Sequence, residues 1–134
     1  MSVVPSLLVP PPPLINSDAI LTSLVASRPK ITKSTVTQLT STTTAVTINA
    51  SAGVVTTISS TLAADATETF VVNNSYCGAD SVILVNHLSY TGTDSTAVIT
   101  VNVVDIGSDV FSIQVGNGSG AVLDGSLTIG FLIV

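Results

Sequence analysis

From Ser34 to Val134 the chain has no lysine and no arginine, yet seven of its eight acidic residues fall in that stretch. Affinity for nucleic acid rests on basic side chains that displace counterions from phosphates, so no nucleic-acid partner is expected. The only basic residues, Arg28, Lys30 and Lys33, sit within six positions and read as a solvated linker. Charged residues make up 8% of the chain, against a usual share of about 25%. A surface so poor in charge is weakly protected against association. Cys77 is the only cysteine, which excludes an intrachain disulfide. Tryptophan is absent.

The same scarcity limits chemistry. General acid–base catalysis needs titratable groups brought together, and the chain offers one histidine, one glutamate, one cysteine and seven aspartates. His87 lies in mid-strand in "VILVNHLSY", with no G-x-S-x-G nucleophile elbow anywhere in the sequence. Cys77, in "SYCGAD", has no basic neighbour and reads as a small apolar filler. A zinc set cannot be built from one His and one Cys without carboxylates. Asp94, Asp105, Asp109 and Asp124 sit at expected turns but lack the spacing of a calcium loop. Glu68 has no evident carboxylate partner for glycoside hydrolysis, and five aromatics provide few platforms for sugars. We therefore expect no enzyme, no cofactor and no metal. No apolar run approaches the ~18 residues of a membrane span, and the first residues lack the basic n-region of a signal peptide. No membrane partner is expected.

What the chain has in abundance is Thr, Ser and Val. β-branched side chains fit strands and lose entropy in helices. The first segment, 1–15, contains "SVVPSLLVPPPPLI". Proline cannot donate to a ladder and breaks helices, and "PPPP" favours an extended polyproline path. Its apolar side chains, Val3, Val4, Leu7, Leu8, Val9, Leu14 and Ile15, are expected to bind another molecule. If fully buried, they contribute roughly 10 kcal/mol gross. Residues 16–30 read as a short helix and linker, with Asn16, Ser17 or Asp18 as cap and Ile20, Leu21, Leu24 and Val25 on one face.

From 31 to 134 the period is two. About eight strands are expected, at roughly 31–39, 44–50, 53–59, 67–73, 81–90, 96–106, 109–116 and 126–134. "DIGSDVF" reads as a tight hairpin, and Asn117-Gly118 as another hairpin signal. Short strands at this spacing predict a single antiparallel β-sandwich, wired as a jelly roll or Greek key. Two strands are apolar on both faces. Val98 and Val104 oppose Ile99, Val101 and Val103, and Leu132 and Val134 oppose Ile129, Phe131 and Ile133. Sandwich outer faces are normally polar, so something is expected to cover them: the chain's own helix at 18–27 or a loop, or a neighbouring subunit, for which these four residues mark a possible interface.

The blocks "VTQLTSTTTAVTINASAGVVTT", "ETFVVNNS", "ADSVILVNHLSYTGT" and "GSDVFSIQVGNGSGAVLDGSLTIGFLIV" resemble, in that order, a family of small β-sandwich virion structural proteins of tailed phages and large DNA viruses. The resemblance spans roughly residues 35–134 and carries no catalytic residue. The loop "TGTDSTAV" departs from it in lacking a proline that often follows there. It implies a trimeric capsid cement or decoration protein, a minor capsid protein, or a fibre module. Expected partners are then the major capsid protein or other virion proteins and further copies of this chain, at the outer capsid surface. A receptor- or glycan-binding tail-fibre module is the alternative, and a bacterial surface adhesive domain a further one.

Overall fold

The computed structural model describes residues 31–134, and the arm of 1–15 and the helix expected within 16–30 lie outside the described residues. Within them the chain is all-β. Eight strands follow in order: β1 (Lys33–Thr37), β2 (Val46–Thr47), β3 (Ala52–Thr56), β4 (Thr67–Asn73), β5 (Ile83–Tyr90), β6 (Ile99–Gly107), β7 (Val110–Asn117) and β8 (Leu127–Ile133). Each falls inside or within a residue of a segment where apolar and polar residues alternate.

The strands form two four-stranded sheets, sheet A in the order β1-β3-β8-β5 and sheet B in the order β2-β4-β7-β6. The expectation of a purely antiparallel fold is corrected here, because β1 pairs parallel with β3 and β2 parallel with β4. The reason lies in the route of the chain. Its first four strands go alternately to sheet A and sheet B. A strand that leaves its sheet and returns after one strand in the other has reversed twice, so it runs parallel to its predecessor. The remaining pairings are antiparallel.

Alternation decides which side chains are enclosed. From sheet A, Val55, Leu127, Ile129 and Phe131 point inward, and from sheet B, Phe70, Val72, Phe111, Ile113 and Val115 do so. All belong to one apolar cluster shared by both sheets, giving a sandwich-like arrangement. Phe111 of β7 meets Phe131 of β8 edge to face, with ring centroids 5.4 Å apart. Opposite Phe131 in the register stands Gly53. A Cβ there would lie 2.6 Å from Ile48 Cδ1 and 2.7 Å from the Phe131 ring. The glycine makes room for the aromatic pair.

The hairpin expected at "DIGSDVF" joins β6 to β7, with Asp109 at φ 63°. Asn117-Gly118 is not a hairpin. β7 ends at Asn117 in sheet B, and the chain crosses to sheet A for β8. The Asn117 amide is buried, donating to the carbonyls of Leu62 at 3.0 Å, Ala63 at 3.1 Å and Ala121 at 2.8 Å. Its carbonyl accepts the Ser119 N–H at 3.0 Å. The residue that looks like turn punctuation is the clasp of two loops. Asn74 plays the same part at the other end of β7, donating to Ala50 O at 2.7 Å and accepting from Tyr76 N–H at 2.9 Å.

Edge strands β5 and β6 lie beside one another along one flank, and each carries a bulge. The register skips between His87 and Ser89, and again between Val103 and Asp105. The extra residues are Leu88 and Val104, both largely exposed. A bulge bends an edge strand and re-aims its side chains. Here each one presents an apolar residue to the outside.

Candidate interaction faces

The two outer faces differ in chemistry. On sheet B the outward positions carry Thr67, Thr69, Thr100, Asn102, Ser112 and Gln114, aligned across β4, β7 and β6 by the register. That face is mostly polar, with half-buried Val71 and the carboxylate of Asp105 in register with Ser112. Water competes well for hydroxyls and amides, so it is stable against solvent without a cover.

Sheet A is the reverse. Ala52 and Val54 of β3 lie in register with Leu132 and Gly130 of β8, and these with Leu84 and Asn86 of β5. Leu84 is 57% exposed and Leu88 51% exposed. Leu88 leans over Gly130, whose missing side chain leaves it room. Together they line a shallow groove of about 420 Å³, bordered by Lys33 of β1. A contiguous apolar patch on a sheet face marks an interaction site more often than a stray exposed leucine does.

A second groove, about 560 Å³, runs along the flank between the start of β5 and the bulge of β6. Val82 and Val104 line it, 60% and 49% exposed, beside the carboxylate of Asp105.

The four interface residues expected from sequence are therefore not one patch. Leu132 belongs to the outer face of sheet A and Val104 to the β5/β6 flank. Val98 is exposed just before β6, and Val134, after β8, is exposed while its backbone exchanges hydrogen bonds with Val82. Sequence reasoning missed Val54, Val82, Leu84 and Leu88. The signal was present: "SVILVNHL" is apolar at both parities, as the two flagged strands are. The arm residues Val3, Val4, Leu7, Leu8, Val9, Leu14 and Ile15 lie outside the described residues.

His87 and Cys77, which sequence reading weighed for chemistry, lie apart from these grooves. His87 faces the interior opposite Ile129, and its Nε2 is buried with no hydrogen-bond partner among the described residues. Cys77 is buried, its thiol directed at the carbonyls of Gly107 and Val110, each 3.4 Å away. Among the described residues no group of three or more His, Cys, Asp or Glu side chains stands close enough to hold a metal, and no helix is long and apolar enough to cross a membrane.

Asp124 is a tie between loops. It accepts from the Tyr90 hydroxyl and the Thr93 N–H, both at 2.8 Å, and from the Thr93 hydroxyl. These donors, the Thr93 hydroxyl first, favour the charged carboxylate and lower its pKa to about 2. Tyr90 moves the other way, raised chiefly by desolvation. Gly92 and Gly125 make the tie possible, since a Cβ on either would collide with Tyr90 and Asp124 or with the Gly92 backbone.

No protein-family model matches this chain, and no curated protein or solved structure matches it.

Proposed function

We propose that the chain is a non-enzymatic virion structural protein, a capsid cement, decoration or minor capsid protein on the outer shell. Its N-terminal arm would bind the shell and its body would contact neighbouring subunits. The observation that carries this reading is the apolar outer face of sheet A, left open among the described residues, on a body with so little charge. Leaving an apolar residue exposed instead of buried forfeits about 1.5–3 kcal/mol for a leucine or valine. Leu84 and Leu88, both more than half exposed, gain that only when covered, on a face that half-buried Val54 and Leu132 extend. The sequence resemblance to virion sandwich proteins supplies the context, an associational warrant. The wiring that fits this reading is a Greek key in the second half of the chain. β5, β6 and β7 follow one another around the flank, and β8 returns beside β5.

The test is incorporation. A tagged copy produced during particle assembly should co-sediment with purified particles at many copies each. Removal of residues 2–15 should leave a folded body that stays in the unbound fraction. Full-occupancy incorporation of the truncated chain would refute the arm's role, and absence of the full chain from particles would refute the virion reading altogether. Few copies at a single vertex would replace cement with the tail-fibre module.

A further inference from the structure

We propose that copies of this chain associate head to tail, the outer face of sheet A of one copy receiving the β5/β6 flank of the next. The inference deepens the reading above, since it names which surfaces meet. It can fail without touching the particle experiment, because it concerns the purified chain alone.

Charge selects the pairing. From Ile31 onward Lys33 is the only lysine or arginine, against seven carboxylates. Two such bodies repel over most orientations. Lys33 borders the apolar groove of sheet A. A second groove with exposed apolar residues, the one lined by Val82 and Val104, carries Asp105. Each groove thus offers what the other lacks: apolar area on both sides, a cation on one and an anion on the other. Charges of opposite sign across an interface fix register and suppress wrong orientations.

Coverage argues against the simpler alternative of two sheet A faces meeting. Face-to-face contact would leave the flank groove of each copy uncovered. Head-to-tail contact uses both surfaces of every copy, so a closed ring buries twice as much per chain. Such heterologous contacts close into rings when the rotation permits. The bulge at Val104 gains a purpose here, since it turns the residue outward on the flank that has to dock.

The experiment uses the full-length chain, Leu84→Asp as the face-blocked variant and Val104→Asp as the flank-blocked one. Both positions are about half exposed or more, so circular dichroism and melting temperature should stay close to the parent. By sedimentation velocity the parent should form a discrete oligomer and each variant a monomer. Mixed one to one, the two variants retain a single competent pair of surfaces and should give a dimer that grows no further. A parent that stays monomeric at high micromolar concentration overturns the proposal. So does a flank-blocked variant that still dimerises by itself, which is the signature of face-to-face contact. If either variant misfolds, charge reversal decides instead. Lys33→Asp and Asp105→Lys should each lower the association constant several-fold, and the double variant should recover most of it. No recovery overturns the ionic pairing.

Discussion

Gly53 shows how one missing methyl group sets the depth of the core. Phe131 lies against it and reaches Phe111 on the opposite sheet. Gly53→Ala should therefore destabilise the fold by about 1–3 kcal/mol through overpacking, read as a lowered midpoint in urea with an unchanged slope. Asn117 is the polar counterpart. Truncation to Ala strands the carbonyls of Leu62, Ala63 and Ala121 and one N–H of Ser119. An unsatisfied buried group costs about 1–3 kcal/mol, so Asn117→Ala should lower stability by roughly 2–4 kcal/mol. Asn117→Asp keeps the acceptor and loses the donors, and should not rescue it.

At the scale of elements, the loops after β5 and before β8 are joined through Asp124. Its folded pKa is depressed to about 2 from an ordinary 3.8. The tie's contribution is thus complete above pH ~4 and disappears as pH falls toward 2. Tyr90→Phe removes one donor, and the carboxyl titration followed by NMR should move upward toward the ordinary value. Asp124→Asn should flatten the acid limb of the stability curve over that window. Strand positions were legible in the sequence because alternation is a local property, visible in "VFSIQVG" without knowledge of any partner. Sheet membership was not. The parallel pairing of β1 with β3 depends on which layer β2 joins, and nothing in "KSTVT" or "AGVVT" encodes that. The bulges were equally hidden, because one extra residue leaves the apolar pattern of "VNVVDI" looking merely dense. Asn117-Gly118 misled because the dipeptide that suits a hairpin turn equally suits a buried clasp.

For the whole molecule, the contrast between its two broad faces governs behaviour. Adding ammonium sulfate should promote self-association through sheet A, since excluded salts strengthen apolar burial. Leu84→Asp should blunt that response, while Gln114→Asp on the outer face of sheet B should leave it unchanged; light scattering across a salt series reads both. The interaction surface itself was half legible. Leu132 and Val104 stood out because their neighbours on both parities are apolar. Their separation onto two different surfaces came only with the sheet order.

The unlike faces also give the body of residues 31–134 an oily side and a hydroxylated one. Such a body does not tumble indifferently at a boundary. Laid down on anything apolar, it would turn its threonines outward, and a crowd of such bodies would repave a greasy surface with a wettable one.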